Sequence, residues 1–219
     1  MSLYPGIHTL PKAYIAGQLG VRGMAAMFKE YIFSVNYYYM MKANLKFLPD
    51  IKYHNHLNGE FRRVKGEDID SLKQRVSALP LRDRRDILSR ILFYGNGFTN
   101  CHGFFVENKL AYMQWLIYPS ENHLIESHYP TRFYPLSPHQ VMIENAFTFP
   151  EYRGYGLYRY FTWHLLKKAR NEGYRCGICY TKTERIIPIN EFYMLGFKID
   201  KILSEYRVLF RTNRNLKER

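Results

Sequence analysis

The stretch that decides the fold is residues 140–157, QVMIENAFTFPEYRGYGL. Apolar side chains alternate through 140–148 and predict a strand, and FPEY at 149–152 predicts a turn. Residues 157–171 carry apolar side chains at helical spacing, and 174–181 predict the next strand. Two strands joined through a glycine-bearing loop and a helix form a crossover unit, so part of the sheet should be parallel.

Outside this stretch, periodicity and turn residues predict further helices and strands. They are a strand at 61–64, helices at 67–79 and 81–94, hairpin strands at 101–106 and 110–117, a short helix at 188–195, and one bent strand or a tight pair at 197–210. Residues 118–138 are rich in proline and have no period, which predicts an irregular loop. Long ordered loops of this kind are commonly functional.

Residues 1–58 are predicted to form a helical N-terminal extension, separated from a domain at 59–219 by the turn formers HNHLNG at 54–59. Residues 24–48 are apolar nearly all round and predict one or two helices packed on the rest of the protein. A transmembrane helix needs about 20 apolar residues with few or no charges, and the charges in this stretch exclude one. A basic helix lying in a membrane interface is the alternative.

The charge balance favours anionic partners. The chain of 219 residues has 32 Lys and Arg against 19 Asp and Glu, a formal net charge of +13. A phosphorylated cofactor, a nucleic acid, a membrane surface or an acidic protein would each suit this excess. Three cysteines favour a reducing compartment, and the N-terminal sequence lacks the pattern of a signal peptide. We therefore predict a cytoplasmic protein.

The loop Arg153-Gly154-Tyr155-Gly156-Leu157 has the composition of an anion site. Glycines let main-chain N–H groups turn toward a phosphate, and the start of the following helix adds a partial positive charge. Further on, residues 192–197 read FYMLGF. Together these segments resemble the GNAT superfamily of N-acetyltransferases, whose acyl-CoA loop reads Arg or Gln, two residues, Gly, one residue, Gly or Ala, and whose later segment reads FYxxLGF. The resemblance covers roughly residues 61–210.

The resemblance implies an α/β fold of the α+β type: a mixed, mostly antiparallel sheet that is splayed in the middle and flanked by helices. It implies acetyl-CoA as cofactor, with the pantetheine arm in the splay between the strands at 140–148 and 174–181. The residues that it implies for binding are the main-chain groups of Phe147 and Thr148 and the loop residues Arg153, Gly154, Tyr155, Gly156, Leu157 and Tyr158. Tyr158 stands where the family has Gly or Ala, so its side chain should point away from the pyrophosphate or shift it.

Two residues are implied for the chemistry. Tyr193 takes the family position of a donor to the leaving thiolate, and a tyrosine with a pKa near ~10 is still protonated at pH 7. The alternative is a tyrosine that packs on the sheet. Glu144 shares a strand face with Thr148 by alternation. In many family members an acidic residue there draws a proton from the amine through water, and the alternative is an ion pair with an arginine.

Other polar clusters carry weaker predictions. The pair Cys176 and Cys179 has CxxC spacing, but side chains three apart on a strand point to opposite faces, which favours core thiols over a zinc site. His54 and His56 lie in the turn-rich boundary, where a solvated loop is the better interpretation. The loop at 118–138 would hang over the acceptor side, and its candidate substrate contacts are His123, Glu126, His128 and Arg132. We predict no metal site.

The sequence thus predicts an acyl-CoA-dependent N-acyltransferase that moves acetyl to a primary amine of a small molecule or peptide by direct attack in a ternary complex. One alternative keeps the chemistry but takes the acyl group from an acyl carrier protein, whose acidic surface would match the basic charge. Another is a non-catalytic module that binds nucleic acid or membrane; a nucleic-acid partner is disfavoured because no base-reading motif is present.

Overall fold

The computed structural model describes residues 12–52, 57–130, 132–208 and 211–218. These residues form six α-helices and eight β-strands. The helices are α1 (Lys12–Ile32), α2 (Gly66–Arg75), α3 (Leu81–Gly95), α4 (Asn122–His128), α5 (Leu157–Asn171) and α6 (Ile186–Met194). The strands are β1 (Phe33–Asn44), β2 (Glu60–Arg63), β3 (Cys101–Val106), β4 (Lys109–Ile117), β5 (Gln140–Thr148), β6 (Cys176–Lys182), β7 (Lys198–Val208) and β8 (Arg211–Glu218).

The eight strands form one sheet in the order β2-β3-β4-β5-β6-β1-β7-β8. All neighbouring strands are antiparallel except β5 and β6, which α5 connects and which run parallel. The parallel ladder extends from Gln140 opposite Cys176 to Ile143 opposite Cys179. Beyond this ladder β5 and β6 continue without pairing with each other, while β5 still pairs with β4 and β6 with β1, so the sheet is splayed there. The predicted mixed, mostly antiparallel and splayed sheet is confirmed.

Helices cover both faces of the sheet, as predicted. Buried side chains of α2 and α3, among them Leu72, Ile87 and Ile91, share a core with Met113 and Met142. On the opposite face, α5 and α6 pack against Val141, Ile143 and neighbouring strand residues. The splay between β5 and β6 therefore lies between two helical layers.

The prediction that residues 1–58 form a helical extension is wrong for residues 33–44. These residues form β1, which lies inside the sheet and pairs with both β6 and β7. A strand that is covered on both faces is apolar on both, and here the adjacent residues Met40 and Met41 are both buried. An apolar run of this kind cannot be told from a buried helix by its periodicity. Helix is present in α1, which is interrupted at Gly20, where φ is 63°.

Smaller differences lie at two places. The segment 118–138, predicted to be irregular, contains the helix α4. The strand predicted at 197–210 is β7, and β8 follows it along the chain, although the sequence pattern did not predict a strand there. The predicted strands at 101–106 and 140–148 and the helix at 157–171 agree with β3, β5 and α5.

Two other predictions concern thiols and membranes. Cys176 and Cys179 pack in the cores on opposite faces of the sheet, as predicted for residues three apart on a strand. His54 and His56 lie outside the described residues. Within those residues no three His, Cys, Asp or Glu side chains are grouped so that they could hold a metal ion. Among the described helices, none is both long and apolar enough to cross a membrane.

The central position of β1 predicts a stability effect. Met41→Ala removes a side chain that is 0% exposed and leaves a cavity, so it should lower the free energy of unfolding by about 2–5 kcal/mol. Val35→Ala on the same strand is the control, because Val35 is partly exposed and should cost less than about 1 kcal/mol. Urea unfolding of both variants measures the difference. Equal effects would mean that residues 33–44 do not form a central strand.

Candidate active site

A cavity of about 160 Å³ lies in the splay between β5 and β6. Its walls come from the strands on either side of the splay and from helices on both faces of the sheet. Apart from Ile143, Ala146 and Pro188, the lining side chains are polar or aromatic: Tyr38, Arg90, Gln114, Arg132, Glu144, Asn145, Tyr158, Tyr180, Thr181, Lys182, Arg185 and Phe192. The cavity therefore joins the two faces at the point where the sheet opens.

A β-bulge in β5 forms one wall of this cavity. Between the pairs Met113–Phe147 and Trp115–Glu144 the register shifts, so that Gln114 opposes two residues, Asn145 and Ala146. Asn145 has a φ of 55°, in the left-handed region that asparagine tolerates better than most residues. A bulge bends the strand and turns its main-chain groups out of the ladder.

Arg90 of α3 holds the bulge from below. Its Nε donates to the carbonyl oxygen of Asn145 at 2.8 Å and its Nη2 to that of Ala146 at 2.6 Å, while Nη1 donates to the carbonyl oxygen of Asp86. Burial lowers the pKa of this guanidinium to about 10, so it stays charged at neutral pH. These charge-assisted bonds fix the bulge against the helix.

Glu144 is a buried carboxylate, and a hydrogen bond from the described residues reaches only one of its two oxygens. Its side chain is only 7% exposed, and Oε2 accepts a hydrogen bond from the main-chain N–H of Asn145 at 3.1 Å. Oε1 accepts no hydrogen bond from the described residues. Burial raises the pKa of this carboxyl, and the positive charge of Arg132 opposes that rise. A carboxylate with a raised pKa and a vacant lone pair can accept a proton inside the cavity.

Gln114 brings a donor to the same cavity. Its Oε1 accepts hydrogen bonds from the hydroxyls of Tyr112 at 2.7 Å and Thr162 at 3.0 Å, which fix the orientation of the amide. Its Nε2 is buried and has no acceptor within the part of the chain that the structure describes. A fixed N–H donor without a partner can stabilise negative charge that develops on an oxygen.

Tyr158 and Phe192 meet at the cavity, with ring centroids 5.8 Å apart in an edge-to-face arrangement. The Tyr158 side chain extends from the start of α5 into the splay, where it lines the cavity. Burial raises the pKa of its hydroxyl well above the usual value, so the hydroxyl stays protonated.

The structure does not place Tyr193 at the cavity, which contradicts its predicted position beside the thiolate. Tyr193 is 47% exposed, whereas Phe192 is 3% exposed and lines the cavity. Successive residues of an α-helix point about 100° apart, so only one of the two can face inward. The segment 192–197 also has one residue fewer between Tyr and Leu-Gly-Phe than FYxxLGF has. Counted back from Gly196, the tyrosine position falls on Phe192.

The glycine loop lies beside the splay, at the start of α5. Gly154 and Gly156 have φ values of 87° and 69°, and a Cβ atom built on either would meet nothing within 4 Å. Gly156 caps α5 without a side-chain hydrogen bond. Because the first N–H groups of a helix have no acceptor within the helix, this end of α5 presents free donors to open space. This geometry suits an anion, and binding of an anion at this loop, called the cradle below, stays a prediction.

The other residues predicted to bind the cofactor lie partly beside the cradle and partly away from it. The Arg153 side chain turns away from the cradle: its Nη2 pairs with Asp83 at 2.6 Å and its Nε donates to the carbonyl oxygen of Thr148 at 3.2 Å. Tyr155 is exposed beside the cradle, and Leu157 is buried. Phe147 packs against Phe149 and pairs with Met113. The edge of β5 beyond Ile143 is not paired with β6.

Of the four substrate contacts predicted at 118–138, only Arg132 lines the cavity. His123, Glu126 and His128 lie on α4, are exposed, and are not among the lining residues. The His123 ring instead contacts the carbonyl oxygen of Ser120 at 3.0 Å. Because a short helix replaces the expected loop, these side chains are carried on an outer surface.

Of the cavity lining, the sequence interpretation named only Arg132, Glu144 and Tyr158, and Arg90 and Gln114 are two of the residues that it missed. Gln114 is the one polar amide within the apolar strand AYMQWLI at 111–117, a signal that could have marked it. Arg90 is a cation among the apolar positions of α3, but a long arginine on a helix is usually a solvated side chain. Nothing in the sequence pattern predicts that the Arg90 side chain hydrogen-bonds to the bulge in β5.

Comparison with known proteins supports the fold. No family model and no curated protein matches the sequence. Among solved structures, a GNAT-family acetyltransferase from Colwellia psychrerythraea has a TM-score of 0.52 at 14% identity and aligns with 84% of this chain and 61% of its own. A GCN5-related N-acetyltransferase from Sphaerobacter thermophilus has a TM-score of 0.51 at 9% identity, with coverages of 90% and 57%. This chain therefore spans about three fifths of the length of these two proteins.

A third similar structure is the GCN5-related glucosamine N-acetyltransferase region of a fungal multi-domain GH3 β-N-acetylglucosaminidase. Its TM-score is 0.54 at 14% identity, and the alignment covers 89% of this chain and 22% of that one. At these identities the similarity concerns the fold alone. The described residues have the fold of the GNAT acetyltransferases, as predicted from the two sequence segments.

Proposed function

We propose that this chain, which has the acyltransferase fold of the GNAT proteins, transfers an acyl group from acetyl-CoA to a primary amine. The observation that carries the proposal is the adjacency of two features: an anion cradle at the start of α5 and a polar cavity in the splay that α5 borders. The cavity contains a buried carboxylate oxygen and a buried amide donor, neither of which has a hydrogen-bond partner in the described parts of the chain.

The residues present fit coenzyme A. The cradle at Gly154 and Gly156 offers uncapped N–H donors to a pyrophosphate. The edge of β5 beyond Ile143 does not pair with β6, so the pantetheine arm would have room to lie along it toward the cavity, although the carbonyl oxygens of Asn145 and Ala146 are already bonded to Arg90. Tyr158 lies in this path, so its ring defines one side of the channel. When bound, acetyl-CoA supplies an activated acyl group, which passes to the amine nitrogen as the carbon–sulfur bond breaks.

Side chains of the protein supply the base and the hydrogen-bond donors that the transfer needs. Glu144 Oε1 accepts the proton that the amine must lose, directly or through a water, because its raised pKa makes it a better base than a surface carboxylate. Gln114 Nε2 donates to the carbonyl oxygen on which negative charge develops. The Tyr158 hydroxyl, protonated at neutral pH, donates a hydrogen bond to the departing sulfur. Arg90 positions the bulge that carries Glu144 and Asn145.

A charge placed at the cradle tests where the cofactor binds. A ligand that binds only the folded state raises the melting temperature, so acetyl-CoA should stabilise the wild-type protein. Tyr155→Glu puts a carboxylate beside the cradle on an exposed side chain and should abolish most of the shift in Tm, by repulsion of the phosphates.

Tyr155→Gln is the matched control, since it has the same size as the glutamate variant without its charge. It should keep most of the shift. Equal shifts in the two variants would remove the cradle from the phosphate site. An absence of any shift in the wild-type protein would contradict acetyl-CoA as the donor.

A further inference from the structure

The cavity lining is strongly cationic. Four of its side chains carry a positive charge, Arg90, Arg132, Lys182 and Arg185, and one carries a negative charge, Glu144. Arg90 is committed to three main-chain carbonyl oxygens and is buried. The other three cations are partly or fully exposed, so they lie where the cavity meets solvent.

These outer cations are held in place by their surroundings. The Arg132 guanidinium lies over the Phe133 ring at 5.2 Å, a cation–π contact that keeps the group at the cavity wall. Lys182 Nζ donates to Asn36 Oδ1 at 2.9 Å and lies 3.6 Å from the carboxylate oxygen Oε1 of Glu184, which is outside the cavity lining. Arg185 stands at the start of α6 and lines the cavity on the same side as Lys182. Side chains from two segments, the loop after α4 and the turn from β6 to α6, thus converge on one opening.

This charge pattern conflicts with a simple amine as acceptor. An alkylamine is a cation at neutral pH, and the four cations of the lining outnumber its one carboxylate, Glu144, so the opening disfavours such an amine by itself. The acyl end of a thioester is uncharged and adds no negative charge at this opening. The buried oxygen Glu144 Oε1, without a partner among the described residues, marks the place for the amine. An anionic second group on the acceptor would be attracted to the outer cations while its amine faces Glu144.

We propose that the acceptor is an amine that also carries a carboxylate or phosphate group, which Arg132, Lys182 and Arg185 bind while the amine faces Glu144. This inference rests on the proposed function and narrows its acceptor to one chemical class. Arg132 and Arg185 suit either anion, because a guanidinium binds both carboxylate and phosphate through paired hydrogen bonds.

The test compares three small amines in the full-length protein saturated with coenzyme A, so that the cradle at α5 is filled. Ethylamine carries no anion, β-alanine adds a carboxylate, and phosphoethanolamine adds a phosphate. Saturation-transfer NMR titrations give the three Kd values. We expect at least one anionic amine to bind about tenfold or more tightly than ethylamine, since a charge-assisted hydrogen bond typically contributes that much. Which one binds more tightly distinguishes carboxylate from phosphate.

Arg185→Gln should remove most of this preference by removing one outer cation on an exposed side chain. Arg82→Gln is the matched control, because Arg82 is an exposed arginine that does not line the cavity, and it should leave the preference unchanged. Equal Kd values for the three amines, no binding of any of them, or a preference that survives Arg185→Gln would overturn the inference. The signals of coenzyme A in the same samples keep the two proposals apart, since failure of coenzyme A itself to bind would contradict the proposed function.

Discussion

Glu144→Gln should lower kcat for acyl transfer by about 10²–10⁴-fold, the usual contribution of a positioned general base. The substitution keeps the size of the side chain and its place behind the bulge but removes the oxygen that accepts the proton. Steady-state assays of thiol release with an identified amine acceptor measure the loss. Wild-type turnover in the variant would mean that Glu144 does not act as the base.

The raised pKa of Glu144 adds a pH dependence to this expectation. The base must be deprotonated, so kcat/KM of the wild-type protein should rise with pH through that raised pKa, and the variant should lack this rise.

The same pKa affects stability, because the folded protein holds the proton of the Glu144 carboxyl more tightly than the unfolded chain does. The carboxyl therefore favours folding most below its ordinary pKa of 4.5, and this contribution is lost as pH rises through the raised value. Glu144→Gln should accordingly unfold at neutral pH no more easily than the wild-type protein.

Tyr158→Phe should lower kcat by about 10²-fold or more, because it removes the protonated hydroxyl from the cavity and keeps the ring. The affinity for acetyl-CoA should change little. Tyr193→Phe is the matched control: it removes a hydroxyl from the neighbouring helix at an exposed position, so turnover should not change. A loss of turnover in Tyr193→Phe with full activity in Tyr158→Phe would reverse the two assignments.

The part of the fold that could be predicted from the sequence is the part with strong local signals. In 140–171 the alternation, the turn and the helical period follow one another, and each agrees with the observed element. In β1 the local signal is ambiguous. Methionine and tyrosine occur in helices and strands alike, and only pairing with β6 and β7, which are distant in sequence, makes residues 33–44 a strand. Tertiary context decides such segments.

In the site, too, residues with a local sequence signal could be predicted and residues placed by tertiary contacts could not. Glu144 and the glycine loop were predicted because strand pattern and glycines are encoded locally, but the bulge at Asn145 and Ala146 interrupts the alternation, so Thr148 does not share a strand face with Glu144 as predicted. Arg90 could not be predicted, because its role depends on a bulge in another element. Tyr193 was assigned from the segment 192–197, which is one residue shorter than FYxxLGF. On a helix, a shift of one position turns a side chain from the cavity to the surface. A tyrosine from α5 stands beside Phe192 instead.

A crystal structure of the full-length protein with coenzyme A tests the central claim most directly. The account predicts that the pyrophosphate accepts hydrogen bonds from main-chain N–H groups at the start of α5, and that the pantetheine arm follows the free edge of β5. The thiol should then end in the cavity, near Glu144 and Tyr158. Coenzyme A bound elsewhere on the protein, or with its thiol outside the splay between β5 and β6, would contradict the account.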